Sequence, residues 1–419
     1  MRSLFLQDVK NITMILTRIL IFLFFPTMFI GCKSEKPPVN EVPKQKIEKP
    51  LPFIENFKKF IAESYRDSLY PGGAIVIVKD TTTLLKIELG MKQANTSDSI
   101  NDQTIFRLAS VSKGFAAVLT SIFVQNHKLS WDDKVLKYLP SFKLHDSIST
   151  HKLTIRNLLS QTTGLPTHTY TNMIEDGVPY SVLRDKLQDV PLITPVGTAH
   201  SYQNVIYSVI GDILEKVSGK PYDTLLNEMI FKPLHMKNAS ASYADIENSP
   251  NVALPHVIRY GKPEPVKNTP EYYTVLPAAG INASISDMEK WLKALIGDDP
   301  QILSPEMLKE VFKPEVETPK VRRYHFMHWL SVRKTYYAMG FRVLNFGGDT
   351  IIYHAGYVRG YNSEIAFSTS EKVGIVILSN APGAFISNMV PTFFSEYFTW
   401  KEHTETKKAG TNPLCINNF

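Results

Sequence analysis

Cysteine is nearly absent: Cys32 and Cys415 are the only two in 419 residues, so the fold does not depend on a disulfide framework. Metal-binding patterns are lacking too. His325 and His328 lie close in sequence but have no glutamate between them, and neither a metal nor a cofactor is expected. The net charge of +6 looks like a footprint for nucleic acid until it is apportioned. Residues 1–31 carry +2, residues 32–52 carry +2 and residues 401–419 carry +1, which leaves +1 for everything between. A nearly neutral core gives nucleic acid no electrostatic handle. Internal repeats, low-complexity breaks and a second tether are also missing, so residues 53–400 are expected to form one two-lobed unit.

The run I-L-I-F-L-F-F-P-T-M-F-I-G at 19–31 follows Arg18, is too short for an easy membrane span, and suits the apolar region of a signal peptide. Residues 1–31 are accordingly expected to be a signal peptide, with Met14 as a second candidate start. An uncleaved membrane anchor is the alternative. F-I-G-C at 29–32 resembles a bacterial lipoprotein cleavage box, departing from it at Phe29, where leucine is usual. That resemblance implies lipidation at Cys32 and an exported protein tied to a membrane of the cell envelope. Residues 32–52, rich in Pro, Lys and Glu, predict an extended tether reaching up to about 60 Å at roughly 3 Å per residue. Residues 401–419 predict a polar C-terminal tail.

Within the core, apolar spacing of three to four residues predicts helices over 54–69, 115–126, 155–160, 205–217, 222–230 and 286–296. Alternating patterns predict one hairpin from 73–79 and 84–89 and another from 362–367 and 373–378. Strand character thus gathers at both chain ends and helix in the middle. The expected fold is α/β of the α+β type, an antiparallel sheet flanked by terminal helices with a mainly helical lobe inserted.

Ser110 opens S-V-S-K, between the strand-like 104–108 and an apolar helical run. A serine hydroxyl is a poor nucleophile at neutral pH, and Lys113 one turn on can take its proton if burial lowers the ammonium pKa. A second S-x-x-K, Ser331 to Lys334, has no comparable helix after it and is set aside. Such a nucleophile needs proton handling and oxyanion donors. In Y-Q-N at 202–204, before the helix at 205, a tyrosine of depressed pKa would act as base and acid, and Asn204 would bond the lysine or a substrate amide. The plainer reading has Tyr202 packing and Asn204 capping the helix. In H-A-G-Y at 354–357, ending a strand from 350, Ala355 and Gly356 leave room for substrate to add as an edge. There the Tyr357 N–H would join that of Ser110 at an oxyanion, and His354 would bind a carboxylate or steer protons. The plainer reading of His354 is a half-buried histidine at a surface strand end.

These three segments, in this order, resemble the serine β-lactamase and penicillin-binding superfamily, specifically its class C β-lactamase-like group with D-alanyl-D-alanine carboxypeptidases and esterases. The likeness covers about residues 53–400 and extends to F-R-L-A-S at 106–110, L-S-W-D-D at 129–133, L-T-I-R-N-L-L at 153–159, T-G-L-P at 163–166 and I-F-K-P-L at 230–234. It implies that Ser110 is acylated, that Lys113 and Tyr202 share acid/base duty, that Asn204 assists binding, and that His354, Gly356 and Tyr357 line the substrate strand. H-A-G stands where class C β-lactamases carry K-T-G, so a permanent cation is replaced by a largely neutral group. β-Lactams, D-Ala-type peptides and carboxylic esters all remain open as acyl donors. A non-catalytic binding or scaffold protein of the envelope is the alternative from another class. The stretch 316–337, basic and aromatic, is expected to be a solvated loop or hairpin rather than a substrate lid or partner patch.

Overall fold

The computed structural model describes residues 51–66 and 70–408. The proposed signal peptide, Cys32 and most of the tether lie outside them, as do residues 409–419.

Among the described residues, twelve strands form three sheets. They are β1 (Gly72–Lys79), β2 (Thr82–Gly90), β3 (Ile105–Arg107), β4 (His256–Arg259), β5 (Lys262–Pro265) and β6 (Asn282–Ser284), then β7 (Val316–Glu317), β8 (Val332–Tyr337), β9 (Arg342–Phe346), β10 (Asp349–Val358), β11 (Tyr361–Ser368) and β12 (Val373–Ser379). The main sheet has the order β2-β1-β12-β11-β10-β9-β8-β7, and every neighbouring pair in it is antiparallel. Chain-terminal β1 therefore lies beside β12, with Ile75 opposite Ile377. Both expected hairpins are present, each strand longer than its apolar pattern by one to three residues.

β1 is buried along nearly its whole length because both faces of the sheet are covered. Successive residues alternate between two cores: Ala74, Val76 and Val78 face the helical lobe, while Ile75 and Ile77 face the terminal helices. On that second face Pro52–Arg66 packs against Met389–Lys408, with Phe53 on Tyr397 and Phe57 on Phe393 at ring separations of 5.5 Å each. The terminal helix does not stop at the expected boundary of 400. Lys401 binds Glu371 at 2.9 Å, and the helix continues to Lys408, so 401–408 is helix rather than polar tail.

The lobe on the other face is built around the helices Ser112–Gln125, Val205–Ser218 and Ile285–Leu295. Stacking of Phe115 on Trp291 at 3.9 Å joins the first to the third. A two-stranded sheet of β3 and β6 ties the chain before Ser110 to this lobe, and Leu108 N donates to Ile281 O just beyond it. Ser110 thus stands at the seam between sheet and lobe.

Candidate active site

Ser110 lies in a 3-10 turn, Ala109–Val111, that runs directly into the helix carrying Lys113. Ala109 has φ of 45°, a left-handed conformation that costs a residue with a β-carbon and presents Ser110 at a sharp bend. Two hydrogen bonds hold the bend. Ser363 Oγ donates to Leu108 O at 2.7 Å, and Ser112 Oγ accepts from Ile281 N at 3.0 Å.

Lys113 is fully buried, and its Nζ lies 2.7 Å from Asn204 Oδ1, 3.0 Å from Ala278 O and 3.4 Å from Ser110 Oγ. Burial, followed by the charge of Arg342, holds its pKa far below the ordinary lysine range. A neutral amine has two protons and one lone pair. Asn204 Oδ1 and Ala278 O take the protons, which leaves the lone pair for the Ser110 hydroxyl. Asn204 occupies the N-cap position of Val205–Ser218 but its side chain makes no capping bond, so the plainer reading of this residue fails.

Tyr202 stands with its ring 4.6 Å from Lys113 Nζ. The expectation of a depressed phenol pKa is overturned: burial pushes it up to about 12, against smaller lowering effects of the Ser110 hydrogen bond and Arg342. At neutral pH Tyr202 is a proton donor.

His354 is buried on β10, neither half-buried nor at the strand end, since β10 continues to Val358. Its Nδ1 lies 2.8 Å from Ala355 O, which requires the proton there, and Nε2 lies 3.3 Å from the Tyr337 hydroxyl, from which it accepts. Burial first, then Arg342 and Lys113, push its pKa well below the usual histidine value. A neutral imidazole with both nitrogens engaged has no proton to give a substrate carboxylate, so that expected role is withdrawn. Gly356 is required by close approach. A β-carbon there would crowd Leu108 O and Ser363 Oγ and come within 3.0 Å of Ser110 N. Gly356→Val is expected to lower stability by about 1–3 kcal/mol and to slow modification of Ser110, read by urea unfolding and by serine-directed labelling. Tyr357 points outward and is 60% exposed at the mouth. Pairing of β9 with β10 ends at Tyr353, so residues 354–358 keep one edge unpaired by β9.

A cavity of about 520 Å³ brings Ser110, Tyr202, Asn204, His354 and Tyr357 together. Sequence reasoning missed Arg342, which enters this cavity from β9. Its Cζ lies 5.7 Å from the Tyr202 ring and 5.6 Å from that of Tyr337, and its buried Nη1 has no hydrogen-bond partner among the described residues. The signal was a lone arginine in the apolar F-R-V-L-N-F of 341–346. Glu364, missed as well, is pushed up to about 8 by burial, so it is largely uncharged at neutral pH and leaves Arg342 unneutralised. The solvated loop or hairpin expected at 316–337 is found in part: β8 pairs with β7 and β9 and the segment has exposed tips, but it also walls the cavity. Its helix Pro319–His325 and the following Phe326 and Trp329 wall the cavity, because both rings pack edge-on against Tyr353 at 5.5 and 5.2 Å. The second S-x-x-K has no helical turn: Ser331 precedes β8, and Lys334 is exposed on it.

A serine beside a buried lysine, seated between an antiparallel sheet and a helical lobe, defines an active-serine hydrolase fold. The β-lactamase family model matches residues 57–386, and the chain belongs to that family of serine hydrolases. Among curated proteins it is 27% identical over 359 residues to Unguisins hydrolase ungD' of Aspergillus campestris, covering 81% of this chain and 64% of that one. It is 24% identical over 345 residues to Protein flp of Staphylococcus aureus, covering 80% and 64%. The chain therefore spans a little under two thirds of these relatives. Among solved structures, the octameric penicillin-binding protein homologue from Pyrococcus abyssi superposes with a TM-score of 0.71 at 24% identity, covering 86% of this chain and 78% of that one. EstCE1, a hydrolase with promiscuous acyltransferase activity, superposes with a TM-score of 0.68 at 18% identity, covering 82% and 98%. At these identities the two structures establish the shared fold alone.

Proposed function

We propose that this chain is a serine hydrolase of the class C β-lactamase-like group, acting through an acyl-enzyme on an amide or ester whose acyl donor carries a carboxylate. The observation that carries the reading is Lys113 Nζ, buried and bonded to Asn204 and Ala278 with Ser110 Oγ as its remaining neighbour. Neutral Lys113 takes the hydroxyl proton as Ser110 Oγ bonds to the acyl carbon. The backbone N–H groups of Ser110 and Tyr357 receive the oxyanion. As the tetrahedral intermediate collapses, the Tyr202 hydroxyl protonates the leaving nitrogen or oxygen and regains its proton from the Lys113 ammonium. Water then attacks the acyl-enzyme, gives up a proton to Lys113, and releases the acid while Ser110 Oγ is reprotonated. Arg342, rather than His354, supplies the cation for the substrate carboxylate, supported by its free Nη1 in the cavity.

We assign the protein to the cell envelope as a lipoprotein, on the strength of the apolar run 19–31 and F-I-G-C at 29–32. The expected result is a fluorophosphonate or penicillin adduct on Ser110, absent in Ser110→Ala, and fatty-acid labelling that disappears in Cys32→Ser. A panel of nitrocefin, a D-Ala-D-Ala peptide and a short nitrophenyl ester identifies the donor. Folded protein that no activated acyl donor modifies would remove the hydrolase reading.

A further inference from the structure

The strap from Thr318 to Lys334 has two unlike faces. Its inner face, with Val321, Phe326 and Trp329, walls the cavity. Its outer face carries Tyr324, Met327 and Leu330, which are 72%, 59% and 92% exposed within seven residues. Placing three large apolar side chains in water on one short segment is unfavourable unless something covers them.

The surroundings say what that is. Lys320, Arg322, Arg323, Arg333 and Lys334 are all exposed on the same strap. No aspartate or glutamate occurs between Glu317 and Asp349, and among the described residues none of the five is held in an ion pair. Protruding aliphatic groups ringed by unpaired cations match the headgroup layer of an anionic bilayer, where apolar tips enter the acyl boundary and cations meet phosphates. A protein partner is a poorer fit, since three side chains do not supply the roughly 800 Å² that each side of a stable interface buries. Nucleic acid is poorer still. Single strands are held by stacking on aromatic rings, and the two side chains here that follow Tyr324 are aliphatic.

We propose that the outer face of this strap docks on an anionic lipid surface, with Met327 and Leu330 entering the headgroup layer and Arg322, Arg323, Arg333 and Lys334 contacting lipid phosphates, while Lys320 lines the cavity. Because the inner face of the same strap walls the cavity, docking sets the active-site mouth beside the bilayer. The proposal depends neither on acylation of Ser110 nor on lipidation of Cys32.

The test uses the full chain with vesicles of phosphatidylcholine, with and without about 30% phosphatidylglycerol. In Leu330→Trp the added indole is expected to shift its emission to the blue and to be quenched by brominated acyl chains only in the anionic vesicles. Arg333→Ser with Lys334→Ser, both exposed, is expected to lower partitioning roughly thirtyfold with unchanged circular dichroism. Residues 19–31 contribute equally to parent and variants, so these differences report the strap. Absence of quenching in Leu330→Trp, or partitioning indifferent to phosphatidylglycerol and to the paired serine change, would overturn the proposal. Self-association without lipid that Leu330→Glu abolishes would assign the face to a second copy and overturn it too.

Discussion

Lys113→Met is expected to acylate Ser110 roughly 10³-fold more slowly than the parent, in single-turnover measurements with an activated ester or β-lactam. The methionine preserves much of the buried volume but has no lone pair for the hydroxyl proton 3.4 Å away. The pH dependence has a definite sign. Only the neutral amine is competent, so parent acylation rises with pH until the lowered pKa of Lys113 is passed and then levels off. Stability follows the same group. Between the folded pKa and that of the unfolded lysine, the unfolded chain binds the extra proton, so stability falls as pH falls through this window. The urea midpoint of the parent is accordingly expected to rise relative to that of Lys113→Met as pH rises from the lowered pKa of Lys113 toward the unfolded lysine value of about 10.4. Equal acylation rates in the two proteins would remove Lys113 as the base.

Arg342→Leu is expected to reduce kcat/KM for carboxylate-bearing acyl donors about 10²-fold relative to a neutral nitrophenyl ester. The reason is geometric: among the described residues Nη1 has no hydrogen-bond partner, so the charge stands ready for a ligand. A second readout separates this role from a packing role. The Arg342 charge helps to hold down Lys113, so its removal lets the lysine pKa rise, and the rising limb of the acylation profile moves to higher pH. A variant that lost activity toward both donors equally, with an unmoved pH limb, would contradict the assignment.

The hairpins β1–β2 and β11–β12 and the helices Ser112–Gln125 and Val205–Ser218 were legible because alternation and three-to-four-residue spacing are local properties of the chain. Ser110 and Lys113 were legible for the same reason, being one turn apart. Asn204 was found with two readings open, and its missing capping bond decided between them. The exposed tips of the strap at 316–337 carried no pattern from which to read its inner wall. Phe326 and Trp329 face the cavity because Tyr353, more than twenty residues on, gives their rings a surface.

By itself, then, the sequence determined the elements, the family and the acyl-transfer pair, all of which rest on short spacings or on several motifs in order. The tertiary structure decided the charges. Tyr202 is a donor and not a base because burial outweighs its polar neighbours, and His354 is bound to Tyr337 and Ala355 and so has nothing left for substrate. Arg342 brings a cation into the cavity from β9, and its buried Nη1 has no hydrogen-bond partner among the described residues. Desolvation and hydrogen-bond partnership depend on residues far apart in the chain, and so neither is written in the spacing of any one motif.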